Sequence, residues 1–331
     1  MIMDKHMLWE EGEYNYPVLE TFRPNLRSYI HYDGEVHPAI IVIPGGAYCY
    51  CSASEGELVA KAVFSYGYNV FVLSYTTDFL MREPLKLQPL KDLSRAMVFV
   101  RKNAGAFETD PNRIAVMGFS AGGHLAASIA VHFDEPALLE EGNYKGISNR
   151  PDAVLLSYPV ITMGEYTHEN SRTALCGTNA TTEELNYMSL ENHVEENTPP
   201  VFLWHCKTDS SVPVENSNLF YNACKEKNVP AIIKIFDHGK HGMSLATEEW
   251  ANAPLYGTYT LEQFFEALRY LHENDMELPD PIKGKMVPKG ADIVDFYIDA
   301  KNESRIHEHG DEEIATWVEM AFEWLDGIFA G

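Results

Sequence analysis

"VMGFSAGGHLAAS", residues 116–128, joins an apolar run to an alanine-rich helical pattern through a serine boxed between glycines. In a G-x-S-x-G corner the turn is so tight that a side chain at either glycine would collide with the neighbouring strand or helix, and the serine's own backbone is strained. Strain of this kind marks functional positions. The stretch therefore predicts a strand ending near Phe119, a helix beginning near Gly122, and Ser120 at the corner between them.

The rest of the chain repeats the alternation of strand and helix. Short runs that are apolar at almost every residue occur at 39–45 (AIIVIPG), 69–75 (NVFVLSY), 113–119 (RIAVMGF), 153–159 (AVLLSYP), 201–206 (VFLWHC) and 231–236 (AIIKIF). Such runs predict strands covered on both faces, hence an α/β class with a mainly parallel central sheet flanked by helices on both faces. Amphipathic stretches at 54–67, 89–107, 122–133 and 215–228 carry apolar residues at three- and four-residue spacing, as helices on a sheet require. A last helix is expected over 311–329, with acidic residues at its start and Ile314, Trp317, Val318, Phe322 and Leu325 forming its inward stripe.

Residues 247–310 interrupt this regularity. They hold one helix candidate, Leu261 to Asn274, followed by a Pro/Gly/Lys stretch expected to be loop. The segment is read as an insertion before the terminal helix of a single domain spanning 1–331, and the helix as a lid, a subunit contact or simple packing onto the body.

Composition narrows the function classes. A chain of 331 residues, 45% hydrophobic and 12% aromatic, can bury a large core. The formal charge of −24 argues against phosphate backbones and anionic membranes as partners. No apolar run approaches the roughly 20 residues of a membrane span, and the first residues contain no signal-like core, so a soluble, cytoplasmic protein is expected. Cys49, Cys51, Cys176, Cys206 and Cys224 are odd in number and contain no C-x-x-C pair, which predicts reduced thiols rather than disulfides or a zinc site. No cofactor or metal is expected.

A serine hydroxyl is a poor nucleophile at neutral pH unless a base takes its proton, so a histidine and a group orienting it must lie downstream. Asp209, in "KTDSSVP", follows the strand at 201–206, and His241, in "DHGKHGMSL", follows the strand at 231–236. Ligand sites of open α/β sheets gather at such C-terminal strand ends. Asp237 and His238 compete for these two roles. A carboxylate from a separate strand end can stand behind the imidazole more readily than a near neighbour in sequence, which favours Asp209, and the Gly242 and "MSL" that follow favour His241. An anion site is expected in "IPGGAY" (43–48), where small residues open the N–H groups of Gly46 and Ala47 to a ligand oxygen, joined by that of Ala121.

Together "IPGGAY", "GFSAGGHLA", "LSYP", "TDSSVP" and "HGKHGMSL" resemble the α/β-hydrolase superfamily and, within it, the acetylesterases related to carbohydrate (acetylxylan) esterases and, more distantly, to hormone-sensitive-lipase-like esterases. The resemblance covers most of 35–250 and the terminal helix. It implies an α/β-hydrolase fold and a serine esterase without cofactor, acting on small acyl esters, acetyl on a sugar foremost. In that reading Ser120, Asp209 and His241 are catalytic, and Gly46, Ala47 and Ala121 form the oxyanion hole. The chain departs from the lipase-like pattern in carrying Pro44 where those members have histidine and Ala47 where they have a third glycine. Alternatives are an amide hydrolase of kynurenine-formamidase-like or peptidase type, and a binding protein on the same scaffold. A homo-oligomer is compatible with all of these.

Other residues carry plainer readings. His124 and His205 are expected to pack or hydrogen-bond locally, and Cys49 and Cys51 to be buried. Tyr48, Tyr75 and Tyr158 either line an acyl or sugar site or pack in the core. Ser52 and Glu55 match the S-x-x-E capping box of the next helix. "RIHEHGDEE" (305–313) is read as a solvated loop rather than a metal site, since nothing supplies a matching ligand set.

Overall fold

A computed structural model describes residues 2–17, 21–139, 146–255, 257–305 and 309–330. The six apolar runs form β3 (His37–Ile43), β4 (Asn69–Ser74), β5 (Thr109–Phe119), β6 (Ala153–Ser157), β7 (Val201–Cys206) and β8 (Ala231–Phe236). They pair in parallel in the order β4-β3-β5-β6-β7-β8. Two strands that hydropathy does not predict, β1 (Ile2–Met7) and β2 (Asn25–Ile30), extend the sheet antiparallel beyond β4. The edge position explains why β1 is not apolar throughout: Met3 and Met7 face solvent, as one side of an edge strand must.

Because side chains alternate across a strand, each strand feeds two cores. Ile41, Ile43, Val116, Leu156 and Leu203 pack with α2 (Gln88–Lys102), α3 (Ala121–His132) and the helix Glu215–Glu226. Ile40, Val42, Met117, Leu155 and Trp204 pack with α1 (Glu57–Ser65) and the C-terminal helix Trp317–Ala330. The molecule is therefore an α/β sheet of eight mostly parallel strands with helices on both faces. The terminal helix expected as one piece is two, Glu312–Ala315 and Trp317–Ala330, and Asp311 caps the first by accepting the Ile314 N–H at 3.0 Å.

The interrupting segment folds onto the body. Its helix Glu262–Glu273 is followed by the Pro/Gly/Lys stretch expected as loop, which has no helix or strand over 275–292, and then by a second helix, Ile293–Arg305, that the sequence reading does not predict. Phe264, Phe265, Leu268, Ile293, Val294 and Tyr297 bury one another over Ala53. Gln263 Oε1 accepts both the backbone N–H and the hydroxyl of Thr77, at 2.8 and 3.0 Å. The packing contact, one of the three readings of this helix, is thus present. In "RIHEHGDEE", His307 lies outside the described residues, and His309 is exposed. No described helix is long and apolar enough to cross a membrane.

Candidate active site

The corner between β5 and α3 has the strain its sequence predicts. Ser120 sits at φ 53°, ψ −118°. A Cβ on Gly118 would stand 2.2 Å from the Gly122 carbonyl oxygen, and one on Gly122 would stand 2.2 Å from that of Ile43, so both positions exclude any side chain.

Three strand ends converge on the Ser120 hydroxyl. The loop after β8 brings His241 Nε2 to 2.8 Å from Ser120 Oγ, and His241 Nδ1 lies 2.7 Å from Asp209 Oδ2, just past β7. A carboxylate only accepts, so Nδ1 carries the imidazole proton and Nε2 is left to accept the serine hydroxyl. Asp209 Oδ1 accepts the N–H groups of Ser211 and Val212, at 2.8 and 3.0 Å. Its Oδ2 is also 3.3 Å from Nε2 of buried His205, whose proton is shared with the Val212 carbonyl. Burial alone would push the Asp209 carboxyl up; the hydrogen bonds from His205 and His241 overcome it and hold the group well below the usual carboxylate range. The competitors lie elsewhere: Asp237 is exposed and 4.0 Å from Lys207, and His238 Nε2 contacts Asp311 at 2.8 Å.

The loop after β3 faces the same hydroxyl. Gly46 has φ 120°, Ala47 57° and Tyr48 62°, three successive residues in the left-handed region. Among the described residues, the backbone N–H groups of Gly46, Ala47 and Ala121 donate to no protein acceptor. Donors left unpaired by the fold are suited to an anion that arrives with a ligand. Gly46 and Ala47 line a cavity of about 230 Å³ with Ser120 and His241, and Tyr50, Ser52, Ser54, Glu55, His168, Ser211 and Gly242 complete its wall.

Glu55 is the main residue whose place sequence reasoning misses. The S-x-x-E spacing predicts a cap, yet Ser52 makes no capping bond. Glu55 instead turns inward and is buried, Oε2 accepting the Gly45 N–H and Oε1 the Tyr158 hydroxyl, both at 2.8 Å. Burial pushes its carboxyl above the ordinary glutamate value, against the lowering effect of these bonds and of nearby His241. Tyr158 in turn sets its ring edge-on to the His241 imidazole, centroids 4.9 Å apart. One buried carboxylate thereby touches both the loop of free N–H groups and the support of the imidazole.

The remaining residues divide into framework and wall. Tyr48 donates its hydroxyl to His124 Nδ1 at 2.8 Å while His124 Nε2 donates to the Met188 carbonyl, and burial lowers the His124 pKa to about 4, so this histidine is a neutral strut. Tyr75 bonds the Pro44 carbonyl. These tyrosines are core pillars. Cys49 and Cys51 are buried, and burial pushes both thiols up to about 12. His168 lines the cavity, its pKa lowered by burial and then by His241, and it contacts Ser171 Oγ at 2.9 Å. Its only sequence signal is its place in the loop beyond the strand at 153–159.

Comparison with known proteins adds to this geometry. The BD-FAE family model matches residues 29–224. Endo-1,4-beta-xylanase B of Butyrivibrio fibrisolvens is 49% identical over 262 residues, 78% of this chain and 41% of that protein. An acetylxylan esterase of Xylanibacter ruminicola is 27% identical over 215 residues, 63% of this chain and 42% of that protein. The chain thus spans about two fifths of the length of these two relatives. The crystal structure of an acetyl ester-xyloside bifunctional hydrolase from Caldicellulosiruptor lactoaceticus superposes with a TM-score of 0.68 at 37% identity, covering 82% of this chain and 96% of that one.

Proposed function

Since the chain belongs to the BD-FAE family and has the α/β-hydrolase fold, we propose that it is a serine esterase releasing small acyl groups, acetyl foremost, from carbohydrate esters. The observation that carries this reading is the continuous chain from Ser120 Oγ through His241 to Asp209, opening on a small cavity beside three unpaired N–H groups. In the proposed cycle His241 Nε2 takes the Ser120 proton as Oγ attacks the ester carbonyl, and the oxyanion is held by the N–H groups of Gly46, Ala47 and Ala121. His241 then protonates the departing sugar oxygen, and Asp209 stabilises the imidazolium throughout. Water, activated by the same imidazole, attacks the acyl-Ser120 ester and releases the acid.

The wall of the cavity favours a small acyl group and a hydroxylated leaving group. Ser52, Ser54, Ser211 and His168 offer hydrogen-bonding side chains, and Tyr50 offers a ring. A volume near 230 Å³ does not suit a long alkyl chain. The names of the xylan-related relatives support a sugar ester over the amide alternatives. The test is a comparison of acetylated xylo-oligosaccharides with p-nitrophenyl acetate, butyrate and octanoate, using the wild type and Ser120→Ala. Release of acetate from the oligosaccharide, a fall in rate with acyl length and its loss in Ser120→Ala are expected. Preference for octanoate, or activity surviving Ser120→Ala, would refute the reading.

A further inference from the structure

His205 reads from the sequence as a locally packed histidine, yet it reaches the triad. It stands near the end of β7, wholly buried, four residues before Asp209. Its Nε2 is 3.0 Å from the Val212 carbonyl oxygen and 3.3 Å from Asp209 Oδ2, and its Nδ1 is 2.8 Å from Ser217 Oγ on the helix Glu215–Glu226. A carbonyl only accepts, so Nε2 carries a proton and divides it between the Val212 oxygen and the carboxylate. Val212 returns a bond of its own, its N–H donating to Asp209 Oδ1 at 3.0 Å. One imidazole thus ties strand, loop and helix together, and both oxygens of Asp209 are held within these ties.

The torsion that turns an aspartate's carboxyl group is broad, so the side chain by itself does not fix which oxygen faces a neighbour. Here the Ser211 and Val212 N–H groups fix Oδ1, and Oδ2 meets two imidazoles, His241 at 2.7 Å and His205 at 3.3 Å. Burial opposes the charge on Asp209, and the bond from His205 is foremost among those that keep the group ionised. We propose that His205 is a positioning residue of the triad, holding the Asp209 carboxyl group in the orientation that sets Oδ2 behind His241 Nδ1. The proposal rests on the esterase reading and adds to it a residue that acts on the reaction only through Asp209. Its effect on rate therefore depends on the carboxylate being present, which separates it from a residue that only fills space in the core.

The experiment measures kcat and KM for p-nitrophenyl acetate in the full chain as wild type, His205→Met, His205→Gln, Asp209→Asn and the double variant His205→Met/Asp209→Asn. Ser120→Ala serves as the blank, and urea melts check that each variant is folded. In His205→Met kcat should fall about 10- to 100-fold, the scale of a slightly misplaced catalytic group, with KM little changed. His205→Gln, whose amide N–H can stand where Nε2–H does, should recover most of the rate. Added to Asp209→Asn, His205→Met should bring almost no further loss, because the carboxylate it positions is gone. If His205→Met does not fold, Ser217→Ala, which releases the other ring nitrogen, takes its place in the cycle with a smaller loss. Wild-type kcat in folded His205→Met, or the same fold-loss with and without the Asp209 carboxylate, overturns the proposal and leaves the esterase reading standing. A wild type no faster than Ser120→Ala overturns the esterase reading and this proposal with it.

Discussion

Replacing Glu55 by alanine removes the acceptor of two buried donors, the Gly45 N–H and the Tyr158 hydroxyl. Each buried donor left unsatisfied costs about 1–3 kcal/mol, so the gross loss is about 2–6 kcal/mol. Part of it is offset, because burial disfavours the carboxylate itself and raises its pKa. The loop carrying the Gly46 and Ala47 N–H groups is freed at the same time. Displacing one such donor costs about 3 kcal/mol in the transition state, so kcat for p-nitrophenyl acetate should fall on the order of 100-fold or more, with KM little changed. Glu55→Gln keeps the shape and one good acceptor and should lie between the wild type and alanine in both stability and kcat. The pH dependence has a definite sign. With its folded pKa above the unfolded one, Glu55 contributes most below the ordinary glutamate value, and that contribution is lost as pH rises through the raised value. The stability advantage of wild type over Glu55→Gln, from urea melts at a series of pH values, should therefore shrink as pH rises from about 4 toward neutrality. Wild-type kcat and stability in Glu55→Ala, or an advantage over glutamine that grows with pH, would refute the reasoning.

Asp209→Asn should lower kcat by ~10⁴ in steady-state assays, since the amide no longer selects the Nδ1–H tautomer of His241. The Asp209 carboxyl is depressed in the fold, so its stabilisation is present above the ordinary aspartate value and lost as pH falls below it; urea melts between about pH 5 and 2 should show a flatter acid limb in the variant. Gly122→Ala, whose Cβ would meet the Ile43 and Pro44 carbonyl oxygens at 2.2 and 2.5 Å, should destabilise by at least the ~1–3 kcal/mol of an overpacked core, read as a lower midpoint in urea. Phe264→Ala empties the space between Tyr50, Phe79 and Tyr297 and should cost about 3–5 kcal/mol, and because Tyr50 lines the cavity, KM for acetylated oligosaccharide should rise more than kcat falls.

What the sequence makes legible follows the strength of local constraints. The β5–α3 corner is readable because its glycines are required by contacts a few residues away and by one neighbouring strand. β3, β4, β6, β7 and the second half of β5 are readable because burial on both faces keeps them largely apolar. The edge strand β8 reads the same way from its sequence although only Phe236 in it is buried. β1 and β2 are obscured because an antiparallel edge mixes buried Leu26 and Ile30 with exposed Met3 and Met7. The helix at 293–305 has a signal, Ile293, Val294, Tyr297 and Ala300 on one face, but it follows a Pro- and Gly-rich stretch that reads as loop. Glu55 shows the opposite failure. Its capping pattern is locally sound, and a partner 103 residues away, Tyr158, draws the side chain inward.

The loop from Pro44 to Gly56 is where these distant contacts act together. Its strained turn, with Gly46 so close to the Tyr50 carbonyl that no side chain fits, is closed locally by the Cys49 and Tyr50 N–H groups on the Gly46 carbonyl and the Ser52 N–H on that of Gly45. Glu55 fastens it from within the core, through Gly45 on one side and Tyr158 on the other. The interrupting segment fastens it from outside, with the Phe264 and Tyr50 ring centroids 5.7 Å apart and Trp250 Nε1 donating to the Ser54 carbonyl at 3.0 Å. In the proposed cycle the inner fastening bears on the loop of Gly46 and Ala47 that would hold the oxyanion, and the outer one on Tyr50 in the cavity wall. Changes at Glu55 should therefore act mainly on kcat and changes at Phe264 mainly on KM, although the two residues hold the same thirteen-residue loop.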